Sequence, residues 1–446
     1  MGARFAVLER FIQEKMAETH LPAVSIALVE RGETVYQRGF GFRDSARGLP
    51  ATPRTLYGIG SVTKSFTCLA IMQLQEQGKL RVDDRVDRYL PLEVRPWGQP
   101  ILLGHFMTHS SGIPALAYAE AVIRHAAGAA DKWLPMGSYD DMLTFVNGAG
   151  DWVQARPGER WFYLNEGYIL LGAIIEKVSG QPYVEYVAEH ILDPLGMSRS
   201  VFRKEQVDAD PDAAVPYVIT KDKTQLPSHY LYGRLSSDGG MISSVEDMAR
   251  YVAMYLADGR GPQGRVISPE SLRAMTTPYV ALVPEVYPAS ERIPTGHAGY
   301  GLFVYPDFFG HTLIGIRESE SRMRTLGYNV WLHKYIGFLV AGAFGGFGGV
   351  FWAYYNGFVS PSDLELATSV EALLMVALGG RGTLVGPALG AGIIVLLKNL
   401  VSVYTHRWLL ILGAVYIGTI VYAPEGIVGA IRQLRMMKGE KAWARG

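Results

Sequence analysis

The chain contains a single cysteine, Cys68, among its 446 residues. It therefore cannot form an internal disulfide or a cysteine-based metal cage, and we expect the thiol to be a small buried side chain on a helix. The ten histidines include no H-E-x-x-H motif and suggest no ligand set for zinc. No metal and no cofactor is predicted on these grounds.

The chain also has no excess of charge of either sign, because 42 basic residues balance 42 acidic ones. A nucleic-acid partner is disfavoured, since nothing in this composition provides a basic field. The first residues contain no uninterrupted apolar run, because Glu9, Glu14 and Lys15 lie within it. We therefore predict no secretory signal peptide.

The composition changes near Gly315. Residues 1–315 alternate β-rich runs, helical patterns and Pro/Gly turns, which is typical of an α+β domain with helices packed against an antiparallel sheet. The predicted elements are a hairpin formed by Val24–Val29 and Thr34–Phe40, a helix over Ser65–Leu80, and a second helix over Tyr168–Ser179 that ends at Gly180.

Candidate catalytic residues lie just before the first of these helices. Ser61 and Lys64 are one helical turn apart, so both side chains can face one cleft. A serine hydroxyl needs a base within hydrogen-bond reach, and Lys64 must be neutral or share its proton to serve as that base. Tyr163 can supply a phenol that takes or relays this proton, and Asn165 can bind both Lys64 and a substrate amide.

Longer segments surround these residues: Leu56-Tyr57-Gly58-Ile59-Gly60-Ser61-Val62-Thr63-Lys64, Met107-Thr108-His109-Ser110-Ser111-Gly112-Ile113-Pro114, Pro157-Gly158 leading into Tyr163-Leu164-Asn165-Glu166-Gly167-Tyr168, Asp193-Pro194-Leu195-Gly196-Met197 and Gly239-Gly240-Met241-Ile242-Ser243-Ser244. Over most of residues 5–315 the chain resembles the superfamily of serine β-lactamases, D-alanyl-D-alanine peptidases and family VIII esterases, in its class C-like branch. The resemblance implies that Ser61 is the acylated nucleophile and Lys64 its partner. It implies that Tyr163 and Asn165 form the second motif, and that His109 lies in a structural turn.

The third motif of that superfamily is not intact in this chain. In the family, a later strand bears Lys or His, then Thr or Ser, then Gly, and its backbone N–H completes the oxyanion hole. Here His311 and Thr312 are followed by Leu313 in place of the glycine, which makes the two residues candidates for substrate binding only. The strands and terminal helix that normally follow are expected to be missing. Losing one oxyanion donor costs about 10²–10³ in turnover, so we expect impaired catalysis.

The sequence after Gly315 predicts membrane helices over residues 335–430. Tyr335–Val359 contains no charged residue, and about 20 apolar residues suffice to span a bilayer. Trp408–Pro424 is a second candidate span. Leu364–Leu378, which contains Glu371, and Thr383–Leu397 are weaker candidates that could be short spans, re-entrant pieces or interfacial helices. The basic tail at 431–446 predicts a cytoplasmic C-terminus, and four spans would place residues 1–315 on the same side of a cell membrane.

Residues 316–436 resemble the C-terminal part of a permease subunit of a branched-chain amino-acid ABC transporter. The resemblance implies that residues 316–334 form a cytoplasmic coupling segment, although a charge run of this kind is also typical of a solvated loop. It implies an ABC ATPase and a partner permease as partners. The segments that carry it are Ile316-Arg317-Glu318-Ser319-Glu320 through Leu326-Gly327-Tyr328-Asn329-Val330, Leu378-Gly379-Gly380-Arg381-Gly382-Thr383-Leu384-Val385-Gly386-Pro387 and Ala423-Pro424-Glu425-Gly426-Ile427-Val428-Gly429.

Three functional hypotheses follow. The first is a membrane-tethered serine hydrolase that acts on a small ester, amide or D-amino-acid peptide through Ser61. The second is a transport subunit, bound to membrane lipid, whose N-terminal domain is an inert passenger. The third is a non-functional fusion, from a deletion between two genes or from an assembly or gene-calling error, which would explain why both parts are truncated near Gly315.

Overall fold

The β-hairpin predicted at the start of the chain is present in the computed structural model. Strand β1 (Ala23–Glu30) and strand β2 (Glu33–Asp44) pair antiparallel. They are joined by Arg31 and Gly32, which both have positive φ, at 54° and 85°. Two positive φ values in a two-residue loop match the right-handed twist of the strands, which is why this short connection closes the hairpin.

The structure describes residues 2–118, 136–230, 235–283, 296–305, 330–341, 366–380 and 385–404, with isolated positions at 121, 354, 413–414 and 426–427. These residues divide into two compact units, Met1–Lys334 and Tyr335–Gly446. The helices of the first unit are α1 (Gly2–Thr19), α2 (Thr63–Glu76), α3 (Leu103–Met107), α4 (Tyr139–Asn147), α5 (Asn165–Ser179), α6 (Tyr183–Val187), α7 (Asp193–Leu195), α8 (Lys204–Asp208), α9 (Val245–Leu256) and α10 (Pro269–Met275).

The first unit has the α+β architecture that the sequence predicts, with antiparallel pairing between its described strands. The β1–β2 hairpin is extended by β3 (Leu49–Pro50) into a three-stranded sheet. A second three-stranded sheet consists of β10 (Val280–Ala281), β11 (His297–Ala298) and β12 (Phe303–Val304), in that order. The remaining strands are β4 (Tyr57–Gly58), β5 (Tyr217–Ile219), β6 (Gln225–Pro227), β7 (Ile242–Ser243), β8 (Arg260–Gly261) and β9 (Gly264–Arg265).

Helix α2 forms the centre of the core. Every residue from Thr63 to Leu74 is buried, so the helix is covered on all sides. It begins two residues before the predicted Ser65, and it ends at Glu76 instead of Leu80. The early end follows from Gly78, whose φ of 69° lies in the left-handed region that stops a helix.

Helix α5 packs against α2 and ends where the sequence predicts. Its C-cap, Gly180, has φ 76° and donates its backbone N–H to Glu176 at 2.9 Å. The helix begins at Asn165, three residues before the predicted Tyr168. Asn165 therefore stands at the N-terminal end of α5, facing the same core as the first turn of α2.

Two helices of the second unit form a pair, α11 (Leu366–Gly379) and α12 (Val385–Tyr404). Leu378 and Ile394 are buried between them. A Cβ on Gly390 would lie 1.9 Å from the carbonyl oxygen of Met375, so this glycine permits the close approach of the two backbones. The two weaker candidates, Leu364–Leu378 and Thr383–Leu397, are therefore helical over their described residues, 366–378 and 385–397.

Within the described parts of the chain, no helix combines the length and apolar character needed to cross a membrane. Residues 330–341 are helical, but most of the Tyr335–Val359 segment lies outside the described residues. The same holds for nearly all of Trp408–Pro424, for the side chain of Glu371, for most of the coupling segment at 316–334 and for the basic tail at 431–446.

Candidate active site

Ser61 lies at the start of the central helix. It belongs to a short 3-10 turn, Gly60–Val62, that leads directly into α2, and its side chain is exposed. The turn is held by Thr63, whose hydroxyl donates to the carbonyl oxygen of Gly60 at 2.7 Å. Ser61 therefore stands at the positive end of the α2 dipole with its hydroxyl accessible to a ligand.

Lys64 lies one turn further along α2 and is only 3 % exposed. Its Nζ is 3.1 Å from Ser61 Oγ, 2.8 Å from Asn165 Oδ1 and 2.6 Å from the backbone carbonyl oxygen of Asp238. The structure thus brings together Ser61, Lys64 and Asn165, which the sequence proposes as partners.

The carbonyl of Asp238 and the Oδ1 of Asn165 can only accept hydrogen bonds. Lys64 therefore donates to both, whichever charge state it has. An ammonium group has a third N–H left for Ser61 Oγ, whereas a neutral amine has a lone pair there instead. The two fixed acceptors consequently orient the amine so that a proton can pass between Ser61 and Lys64.

Two tyrosine rings border the amine. Nζ of Lys64 lies 5.0 Å from the ring centroid of Tyr163 and 5.4 Å from that of Tyr168. Both distances fall within the range of cation–π attraction. The hydroxyl of Tyr168 donates to the carbonyl oxygen of Met107 at 2.6 Å, and burial raises the pKa of Tyr168 well above its usual value. Tyr168 is therefore a neutral wall of the site, a residue that the sequence motif includes but assigns no role.

His109 packs against two residues of the second motif, Tyr163 and Leu164. Its ring stacks on Tyr163 at a centroid distance of 4.2 Å, and its Nδ1 accepts the backbone N–H of Leu164 at 3.0 Å. Burial, and then the charge of Lys64, hold the pKa of His109 well below its usual range. Its position favours the structural role expected of this turn.

The contact with Asp238 was not predicted from the sequence. Asp238 precedes the Gly239–Ser244 segment that carries part of the resemblance, and it takes part through its backbone carbonyl. A backbone oxygen is present at every residue, so the sequence has no signal for it. The Gly239-Gly240 pair, which predicts a tight turn, is the nearest indication.

A cleft of about 450 Å³ opens over Ser61 and Lys64. One of its walls is formed by residues 298–303, for which the sequence motifs give no indication. Gly301, with φ 69°, lies so close to α2 that a Cβ there would be 2.8 Å from the carbonyl oxygen of Lys64. His311, Thr312 and Leu313 lie outside the described residues. The residues lining the cleft are Ser61, Val62, Lys64, Ser65, Met107, His109, Tyr163, Tyr168, Ala298, Gly299, Gly301, Leu302 and Phe303.

Cys68 is buried on α2, as the sequence predicts. Its sulfur lies 3.5 Å from the Tyr168 hydroxyl, and burial raises the pKa of the thiol to about 12. Because the thiolate is the nucleophilic form, this cysteine is chemically inert in the folded chain.

Two families match the sequence. The Beta-lactamase family matches residues 8–357, and the family described as "Branched-chain amino acid transport system / permease component" matches residues 301–420. The first match continues beyond Gly315, where the composition changes, and the two overlap over residues 301–357. Because the two matches overlap, the junction between the two parts near Gly315 stays a prediction.

Individual curated proteins are also similar to the chain. Protein flp of Staphylococcus aureus (strain MW2) is 28% identical over 264 residues, which cover 56% of this chain and 48% of that protein. The chain spans about half the length of the curated relatives it matches.

Two solved structures are also similar to the chain. The octameric penicillin-binding protein homologue from Pyrococcus abyssi is 46% identical with a TM-score of 0.63, covering 68% of this chain and 66% of that one. EstCE1, a hydrolase with promiscuous acyltransferase activity, is 22% identical with a TM-score of 0.56 and shares the fold, covering 69% of this chain and 85% of that one. Because the match over residues 8–357 spans most of its length, this chain belongs to the Beta-lactamase family.

Proposed function

We propose that the chain is a serine hydrolase that forms an acyl-enzyme on Ser61, in the class C-like and family VIII esterase branch of its superfamily. Membership of the family supports the coarser statement, a hydrolase of the β-lactamase, penicillin-binding protein and esterase superfamily. The observation that carries the proposal is the 3.1 Å contact between Lys64 Nζ and Ser61 Oγ. Asn165 and Asp238 fix the amine in this orientation.

In the proposed reaction, Ser61 gives its proton to the Lys64 amine while Oγ attacks the carbonyl carbon of the substrate. The tetrahedral intermediate then collapses, the bond to the leaving group breaks, and Lys64 returns a proton to the leaving oxygen or nitrogen. Tyr163, stacked on His109, is proposed to relay this proton. A water molecule finally hydrolyses the acyl-enzyme and regenerates Ser61.

The oxyanion that develops in this reaction needs backbone donors. The short turn Gly60–Val62 provides one, the N–H of Ser61, at the positive end of the α2 dipole. In the family, the second donor is a backbone N–H of the strand that bears the third motif, and at that motif this chain has Leu313 after His311 and Thr312. We therefore propose that acylation survives and that turnover is slow, since loss of one donor costs about 10²–10³ in rate.

The proposed substrate is a small ester, amide or D-amino-acid peptide. Its support is the cleft over Ser61, whose walls are largely apolar side chains and aromatic rings such as Tyr163 and Phe303. The similarity to a penicillin-binding protein homologue adds penicillins as acylating probes. The test is intact-mass spectrometry after incubation with a fluorophosphonate and with a penicillin. A mass increase that is lost in Ser61→Ala supports the proposal, and an unmodified chain contradicts it.

A second candidate function rests on the match of residues 301–420 to the permease family. In this proposal the chain is a membrane-bound fragment of a branched-chain amino-acid permease, with an ABC ATPase and a second permease as partners. Its N-terminal domain would be a passenger on the cytoplasmic side. A third possibility is a non-functional fusion, which arises either from a deletion between two genes or from an assembly or gene-calling error. Sequencing of the genomic segment across the codons for Gly315 and Ile316 separates the two origins, because only a fusion that exists in the genome gives an uninterrupted reading frame there.

A further inference from the structure

The turn at Ser236–Gly240 is tied to the same helix that carries Lys64. Thr67 stands one turn after Lys64 on α2, is fully buried, and donates its hydroxyl to the carbonyl oxygen of Ser237 at 2.6 Å. On the other side of Asp238, the backbone N–H of Met241 donates to the hydroxyl of Thr63 at 3.2 Å. The two threonines of α2 thus hold the turn on both sides of the carbonyl that Lys64 contacts.

The turn is also fixed to helix α5. The hydroxyl of Ser237, which is fully buried, donates to the carbonyl oxygen of Tyr168 at 3.0 Å. A Cβ on Gly172 would lie 2.3 Å from Ser237 Oγ, so only glycine allows α5 to approach this closely. Within the turn itself, the N–H of Gly240 donates to the carbonyl oxygen of Ser236 at 2.9 Å.

From these contacts we infer that Thr67 and Ser237 are positioning residues that act on Lys64 through the backbone carbonyl of Asp238. The inference rests on the proposed function and deepens it. The orientation of an amine on a flexible side chain depends on how rigidly its hydrogen-bond acceptors are held. Asn165 fixes one direction from α5, and the turn fixes the other. Without the Thr67 hydroxyl the turn loses one anchor, so the carbonyl of Asp238 is held less rigidly. The N–H or lone pair of Lys64 Nζ that faces Ser61 is then oriented less well.

The test compares Thr67→Val with Thr55→Val in the full chain. Thr55 is an equally buried threonine whose hydroxyl donates to Asp212 Oδ1 at 2.7 Å, away from the turn, so it controls for the loss of a buried hydroxyl. We expect Thr67→Val to lower the rate of Ser61 labelling by a fluorophosphonate about tenfold, the effect of about one hydrogen bond. Thr55→Val should label at the rate of the unmodified chain, and Thr67→Ser, which keeps the hydroxyl, should restore the rate.

Hydrogen–deuterium exchange of peptides covering residues 236–241 provides a second readout that does not depend on acylation. We expect faster exchange in Thr67→Val than in Thr55→Val. If Thr67→Val does not fold, Ser237→Ala replaces it, with the same expected direction in both measurements.

The outcomes separate the positioning role of Thr67 from the proposed acylation of Ser61. Equal labelling rates in Thr67→Val and Thr55→Val, or slow labelling that Thr67→Ser does not restore, overturn the positioning role. Failure of the unmodified chain to label at Ser61 overturns the proposed function instead. In that case the exchange data still decide whether Thr67 holds the turn, and unchanged exchange refutes the anchor itself.

Discussion

Lys64 Nζ and Asn165 Oδ1, which are separated by 101 positions in the sequence, lie 2.8 Å apart in the core. The contact joins the first turn of α2 to the first turn of α5. It sets the direction in which the amine meets Ser61, so it connects the packing of two helices to the chemistry proposed for the cleft.

Replacement of Asn165 by leucine tests this contact. Leucine is similar in size but accepts no hydrogen bond, and a hydrogen bond to a charged group contributes about 1.5–3 kcal/mol. We therefore expect labelling of Ser61 to slow by about 10- to 150-fold. Asn147→Leu, at the end of α4, removes a half-buried amide that binds Pro91 and Glu93 and should leave the rate unchanged. Similar rates in the two variants would show that Asn165 does not orient Lys64.

His109 provides a test of pH dependence. Its pKa is lowered by burial, so the folded chain keeps it neutral below pH 6.5, where the unfolded chain takes up a proton. Its contribution to stability is complete above about pH 6.5 and is lost as the pH falls below that value, by up to about 1.4 kcal/mol per pH unit.

In His109→Asn we expect the free energy of unfolding to decline less steeply between about pH 6.5 and 5 than in the unmodified chain. Chemical denaturation at several pH values measures this slope. A slope that is the same in His109→Asn and in the unmodified chain would contradict the buried neutral state of His109.

Gly301 tests the wall of the cleft. Its φ of 69° is nearly the same as the 65° of Gly48, but a Cβ on Gly48 would meet nothing within 4 Å. Alanine at either position costs about 1–2 kcal/mol for the left-handed backbone. At Gly301 we expect about 1–3 kcal/mol more, because the Cβ presses on Lys64 and Ser65. Thermal unfolding of the two variants measures the difference, and equal midpoints would show that this wall does not pack against α2.

Membrane association is the prediction for the second unit. Because Tyr335–Val359 and Trp408–Pro424 are uncharged and long enough to span a bilayer, we expect the full chain to remain with the membrane pellet after carbonate extraction. A known peripheral protein in the same preparation is the control for complete extraction. Recovery of the full chain as a monodisperse protein without detergent would exclude the predicted spans.

The parts of the site that follow from local spacing could be predicted from the sequence. Ser61 and Lys64 are one helical turn apart. The β1–β2 hairpin of the fold could be predicted in the same way, because the short turn at Arg31 and Gly32 is enough to form it. The helix start at Thr63 was missed by two residues, because Thr63 and Lys64 are polar and their burial comes from tertiary packing that a hydrophobic pattern does not register.

Other parts of the site could not be predicted because they are made by backbone atoms from distant segments. The Asp238 carbonyl acts without its side chain, and Gly301 reaches α2 through a close approach that depends on the position of both segments. The distances of the Tyr163 and Tyr168 rings from Lys64 could not be predicted either. Both residues are recognisable in the sequence motif, but these distances arise only when α2 and α5 pack together.

The most direct test of the proposed function is intact-mass spectrometry of the full chain with a fluorophosphonate, combined with a nitrophenyl-ester assay on the same sample. We expect slow labelling of one site per chain, lost in Ser61→Ala and strongly reduced in Lys64→Ala, with little or no multiple turnover. Ser179→Ala, at the far end of α5, should label like the unmodified chain. Rapid hydrolysis that persists in Ser61→Ala would contradict the assignment of the nucleophile, and rapid hydrolysis that requires Ser61 would contradict the predicted loss of turnover.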